Sequence, residues 1–231
     1  KIIVIGDIHA QADKLGKMLQ EAGIMQYNNG KWLLTDDVKN GKIQVILLGD
    51  LIHGEKVYVG KEQQIALLNA AMELQAQANG YDANGKIKQY GPMIVLGGNH
   101  EKGELERIAK GRTIIRKGDV HQGIGPQDDY SLPNHIKGWL EDLPESVQIG
   151  GMDFAHGGPL EGLDAHGRNK RLWDRKWVRM NEEVAKAFAK RGVRFGIYGH
   201  TPQENGRVAL HAGGLAAIAD INRDNIGYIQ V

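Results

Sequence analysis

Cysteine is absent from this 231-residue chain, which excludes disulfides, thiolate-bound zinc and a cysteine nucleophile. No apolar run approaches the roughly 20 residues that cross a bilayer. Neither sign of charge dominates. Lys+Arg 29 against Asp+Glu 28 leaves a formal net charge of +1, so no global field draws nucleic acid or an anionic membrane. Aromatic residues are few, 6%, and nowhere form a base-stacking platform. The lack of a spanning segment and of cysteine favours a cytoplasmic setting. The chain opens on Lys1 without an initiator Met. That points to a trimmed or processed N-terminus and makes a missing leader uninformative.

What is present is an α/β pattern with 41% hydrophobic residues, enough for a sizeable core. Residues 1–5, 43–48 and 93–96 are continuous apolar runs, as expected of strands covered on both faces. Helical spacing predicts helices over 13–22 and 61–78, and Asn28-Asn29-Gly30 predicts a hairpin turn before a strand at 31–34. The Gly- and Lys-rich stretch 79–91 reads as a surface connection. Further on, 104–110, 134–143 and 181–190 read as helices, the last with Asn181 as N-cap. Residues 113–133 read as an insertion near the mouth of a site. Short strands are expected at 147–149, 152–155, 195–198, 208–210, 216–221 and 226–230. With no repeat, low-complexity tract or long linker, residues 1–231 form one expected domain.

Chemistry enters at the ends of these strands. Gly6-Asp7-Ile8-His9, Gly49-Asp50, Gly98-Asn99-His100-Glu101, Ala155-His156-Gly157-Gly158 and Gly199-His200-Thr201-Pro202 each follow an apolar run. Any one of them alone is a common turn sequence. In order, each after a strand, they place oxygen and imidazole donors at the carboxyl edge of a sheet, where loops converge. Asp7, His9, Asp50, Asn99, His156 and His200 are six such donors, enough for two hard or borderline cations sharing one carboxylate.

This ordered set resembles the calcineurin-like metallophosphoesterases, and more narrowly their phosphoprotein phosphatase branch with its bacterial, phage and Shewanella-like members. Gly98-Asn99-His100-Glu101, Phe154 to Gly158, Trp173-Asp174-Arg175 and Gly199-His200-Thr201-Pro202 carry the narrower likeness. The resemblance implies a four-layer αββα sandwich of two mixed β-sheets flanked by helices. It implies that Asp7 and His9 hold a first metal, Asp50 bridges, and Asn99, His156 and His200 complete the second. The ions would be Mn most readily, or Fe or Zn. A hydroxide held between them would attack phosphorus in line. His100 would protonate the leaving oxygen, while Asn99 and Arg175 would contact the phosphoryl group, whose shape suits a guanidinium fork.

One departure stands out. Relatives read Gly-Asp-x-x-Asp-Arg-Gly, but here Gly49-Asp50-Leu51-Ile52 is followed by His53-Gly54-Glu55. The residue that orients the general acid and a phosphate-binding arginine are both replaced. Three roles are open: His53 weakens catalysis; a protonated His53 stands in for the missing cation; or Glu55, Lys56 or Glu101 takes over the lost functions. With these replacements, aryl phosphates are expected to be hydrolysed better than alkyl phosphates, which need the proton most. Of the other histidines, His121, His135 and His166 are expected at the surface, and His211 in a structural role. Trp139, Trp173 and Trp177 are expected in the core or the pocket wall.

The implied activity is a metal-dependent phosphatase acting on phosphorylated Ser, Thr or Tyr side chains or on small phosphate esters. Two alternatives stand beside it. One is hydrolysis of dinucleoside polyphosphates, since related bacterial hydrolases also lack the usual second Asp. The other is a metal-binding scaffold with weakened catalysis.

Overall fold

Alternation along the buried strands is what builds the layers. The computed structural model describes residues 1–54, 59–110, 132–203, 207–221 and 226–231. In β1 (Ile2–Ile5), Ile3 and Ile5 point into one apolar cluster and Val4 into another. The hairpin β2 (Met25–Asn28) and β3 (Lys31–Leu34) turns at Asn29-Gly30. β4 (Gln44–Leu47) sends Val45 and Leu47 one way and Ile46 the other, and β5 (Met93–Val95) repeats the pattern with Met93 and Val95 against Ile94. Successive side chains of a strand face opposite sides, so runs apolar throughout must be covered twice.

The covering layers follow. After β6 (Ser146–Ile149), β7 (Met152–Ala155), β8 (Phe195–Tyr198), β9 (Ala209–His211) and β10 (Ala216–Ile218), the chain ends on β11 (Tyr228–Gln230). The first sheet runs β11-β1-β4-β5, with β11 antiparallel and the rest parallel. A second runs β6-β7-β8-β10-β9, parallel at its centre and antiparallel at both edges. Val4, Ile46, Leu48, Ile94 and Leu96 of the first meet Phe154, Ile197 and Ala219 of the second. Outside the first sheet lie α1 (Ala12–Glu21), the short α2 (Asp36–Lys39), α3 (Lys61–Asn79) and, past α4 (Asn99–Ala109), α5 (Asn134–Asp142). Beyond the brief α6 (Lys170–Trp173), α7 (Asn181–Arg191) covers the second sheet through Val184 and Phe188. The result is the mixed α/β arrangement of two face-to-face sheets with helices outside.

Several sequence expectations need correction. Helix α4 begins at Asn99, five residues before the expected 104, because Glu101 reaches back to the Gly98 amide and starts the helix within the motif itself. Asn181 is not the cap of α7: the Met180 carbonyl accepts the Val184 amide, so the cap is Met180. The strand expected over 216–221 stops at Ile218, and beyond Ala219 the chain turns so that the Asp220 carbonyl accepts the Gln203 amide. Helices α2 and α6 are one turn each, too short for a periodic signal. Of the expected insertion at 113–133, residues 113–131 lie outside the described residues, as do Glu55 and Lys56 and, with the insertion, His121.

A buried ionic cluster supports the second sheet. Asp153 on β7 accepts two hydrogen bonds from Arg171 at 2.7 and 2.9 Å, one from the Tyr198 hydroxyl and two from Arg191 at 3.1 and 3.3 Å. Removing the shared acceptor strands a buried guanidinium. Asp153→Ala is expected to destabilise the protein by about 3–5 kcal/mol, measured by urea unfolding. A loss below about 1 kcal/mol would contradict this role.

Candidate metal centre

All five expected clusters lie at the carboxyl ends of parallel strands in both sheets. Asp7 and His9 follow β1, Asp50 follows β4, Asn99 and His100 follow β5, His156 follows β7 and His200 follows β8. Asp220, buried two residues past β10, joins them; sequence reasoning missed it because an unbroken strand was expected through that position. The signal was present as an apolar run ending on an aspartate, the same signature that marked Asp7 and Asp50.

Close approach of these loops depends on glycine. Gly49 has φ 98°, and a methyl group there would lie 2.5 Å from the Gly98 nitrogen. At Gly199 it would lie 2.2 Å from an Asp7 carboxylate oxygen. Backbone strain also gathers here. Among the described residues, His9, Asp50, His53 and His200 are non-glycine residues with φ between 46° and 64°. Such conformations persist only where the surroundings enforce them, and they cluster at functional sites. Glu101 is one of the enforcers: its buried carboxylate accepts the amides of Asp50, Leu51, Ile52 and Gly98 at 2.8–3.2 Å. Both carboxylate oxygens of Glu101, one of the residues that the sequence left open for the missing roles, are engaged with backbone amides.

The side chains converge on Asp50. Ligand atoms of His9, Asp50 and His100 lie within 4.8 Å of one another, and so do those of Asp50, His156 and His200. The Asp50 carboxylate lies 3.3 Å from His156 Nε2 and 3.7 Å from His100 Nε2. Asn99 Oδ1 lies 2.7 Å from His156 Nε2. Asp7 stands 3.8 Å from His9 Nε2, and both its oxygens accept the His200 amide at 3.1 Å. His100 thus falls within the His9–Asp50 group, with Asp7 just behind it. The outward nitrogens are prepared as ligands. His9 Nδ1 donates to the His53 carbonyl at 3.1 Å and His156 Nδ1 to the Leu48 carbonyl at 3.0 Å, which turns each Nε2 toward the centre.

Electrostatics suit positive charge at this point. Burial raises the Asp50 carboxyl, but the imidazoles of His100 and His156 outweigh it and hold the group well below the usual carboxylate range. Burial, then Asp220, pushes Asp7 well above that range. Burial would lower His156, yet Asp50 and Asp7 raise it to about 10. His200 is lowered to about 2 by burial, then by His156 and Arg175, and stays neutral. Burial, then His100, also keeps His53 neutral. Oxygen and imidazole donors without sulfur, in two groups sharing a carboxylate, fit a pair of divalent cations of the hard or borderline kind.

A sequence model of the calcineurin-like phosphoesterases matches residues 1–216. The chain belongs to that family. Solved structures share the fold at low identity. A cold-active protein-tyrosine phosphatase of a psychrophilic Shewanella species is 17% identical, with TM-score 0.58, covering 96% of this chain and 71% of that one. A protein serine/threonine phosphatase from Saccharomyces cerevisiae is 14% identical, with TM-score 0.54, covering 97% of this chain and 71% of that one. No curated protein sequence matches.

Around the metal-ligand groups of this phosphoesterase, the remaining expected residues take definite places. His53 is buried, with Nδ1 3.2 Å from His100 Nδ1. Arg175 is exposed at the edge, its Nε donating to the His200 carbonyl at 3.0 Å. Trp173 packs edge-on to His200 and carries the Arg168 guanidinium over its ring. Trp139 and Trp177 are core residues, His135 and His166 are exposed, and His211 packs on Trp177.

A pH dependence follows from His156. With a pKa near 10 it carries a proton at pH 7, and an imidazolium cannot be a ligand. A cation taking His156 as a ligand would displace that proton, so its affinity is expected to rise with pH through neutrality. Calorimetry in buffers of different ionisation enthalpy is expected to show about one proton released per His156-ligated ion. Affinity unchanged between pH 6 and 8, with no proton release, would contradict it.

Proposed function

We propose that this protein is a dinuclear metal-dependent phosphomonoesterase acting on phosphorylated Ser, Thr or Tyr side chains or on small phosphate esters. The observation that carries the reading is the position of Asp50, common to two groups of ligand atoms at the carboxyl edges of both sheets. Manganese is the proposed occupant, with iron or zinc as substitutes. His9, Asp50 and Asp7 would hold one ion, and Asp50, Asn99, His156 and His200 the other. When bound, such a pair supplies Lewis-acid activation of water and neutralises phosphoryl charge.

The chain's own residues then do the rest. Asn99 and Arg175 bind the phosphoryl oxygens, Arg175 from the segment after α6, where its Nε is already tied to the His200 carbonyl. His100 directs Nε2 to the Asp50 side and donates a proton to the departing oxygen. Trp173, stacked under Arg168 and against His200, walls the approach. Chemistry of this kind needs no phosphoenzyme.

The test is a metal-swap assay with elemental analysis on wild type, Asp50→Asn and Arg175→Ala. Manganese-loaded wild type is expected to release phosphate from an aryl monoester, and Asp50→Asn to fall to background with its metal content. Loss of one charge-assisted contact, about 1.5–3 kcal/mol, makes Arg175→Ala about 10- to 100-fold poorer in kcat/KM. No monoesterase activity with any metal would reject the reading. Turnover of dinucleoside polyphosphates in preference to monoesters would assign the substrate to the other class that His53 left open.

A further inference from the structure

An imidazole at position 53 raises a directional problem that a carboxylate does not. His53 Nδ1 and His100 Nδ1 are 3.2 Å apart, so one must donate and the other accept. Only if His53 accepts can the His100 ring keep a proton on Nδ1 and use Nε2, 3.7 Å from Asp50, toward the reacting groups. A histidine accepts at Nδ1 only when its proton sits on Nε2. Something must therefore favour that tautomer.

The carboxylate of Glu104 lies on that side. It belongs to α4, one turn beyond His100, and its Oε2 stands 3.7 Å from His53 Nε2, longer than a hydrogen bond but close enough for a carboxylate to attract an N–H electrostatically where both side chains are 2% exposed or less. Arg107, a further turn along, holds the carboxylate with Nε at 2.9 Å from Oε2 and Nη2 on Oε1. The backbone of His53 is fixed independently by its amide, which donates to Gln64 Oε1 at 3.0 Å. The line runs Arg107, Glu104, His53, His100, and ends at the metal-ligand groups.

We propose that Glu104, clamped by Arg107, is a positioning residue that fixes the Nε2–H tautomer of His53 and so lets this imidazole do the orienting work of the aspartate it replaces. The proposal rests on the phosphomonoesterase reading for its catalytic consequence. No bond to Glu104 forms or breaks; the proton delivered to the leaving oxygen comes from His100 Nε2. On this account the His53 substitution is compensated, and the first of the three roles left open by the sequence is not the one realised.

Glu104→Gln separates orientation from bulk. Its amide oxygen would stay on Arg107, which only donates, and turn its NH2 toward His53 Nε2. That forces the proton to Nδ1 and points the wrong group at His100. Long-range ¹⁵N–¹H spectra of the zinc-loaded protein are expected to show the His53 proton on Nε2 in wild type and on Nδ1 in Glu104→Gln. In the manganese enzyme, kcat for 2-phenylethyl phosphate is expected to fall about 10- to 100-fold, with KM within about twofold. The loss should be smaller for p-nitrophenyl phosphate, whose leaving group needs less protonation. Glu104→Asp should recover part of the loss. In a His53→Asp background Glu104→Gln should cost nothing, since no imidazole remains to orient. An unchanged His53 tautomer, or an equal loss on both esters in both backgrounds, would overturn the proposal. If wild type hydrolyses neither ester, the phosphomonoesterase reading fails by itself, and the spectra still decide whether Glu104 sets the tautomer.

Discussion

A single carboxylate, Asp50, is the interaction on which the site depends. It is buried, held at φ 48°, and approached by His100 on one side and His156 on the other. Each of those constraints is expensive alone. Together they are sustained because Glu101 anchors the Asp50 amide and its two successors, and because the His100 amide donates to Asp50 Oδ1 at 3.0 Å. A buried acid surrounded by imidazoles is the arrangement that a pair of cations can exploit, and a strained backbone is how the loops deliver it.

The two sheets have a functional purpose beyond core formation. Each contributes parallel strands whose carboxyl ends meet at one edge, so candidate ligands from residue 7 to residue 200 converge without any long-range contact being encoded locally. Outer helices and the inter-sheet apolar layer fix the strands. Asp153 with Arg171, Arg191 and Tyr198 stiffens the strand that carries His156. Partners behind the candidate donors complete the arrangement: the Leu48 and His53 carbonyls orient His156 and His9, and α4 brings Glu104 and Arg107 behind His53.

Much of this was legible in the sequence because the signals were local. Unbroken apolar runs ending on Gly-Asp or Gly-Asn-His gave the strands, their ends and the donors. The motif order gave the family and, by resemblance, the fold. What was not legible depended on side chains meeting across space. Glu101 looked like a spare acid and proved to be a backbone anchor. Asp220 was read as lying inside a strand that in fact ends two residues earlier. Glu104 lay in an expected helix with nothing to mark it, since its meaning comes only from His53 on a different loop. Asn181 failed as a cap because the preceding carbonyl, not the side chain, begins the helix.

The most direct test of the central claim is anomalous diffraction from manganese-loaded crystals. The expected result is two peaks roughly 3.5–4 Å apart, with the Asp50 carboxylate touching both, His9 on one and His156 with His200 on the other. A single ion, or two ions that do not share Asp50, would contradict the account.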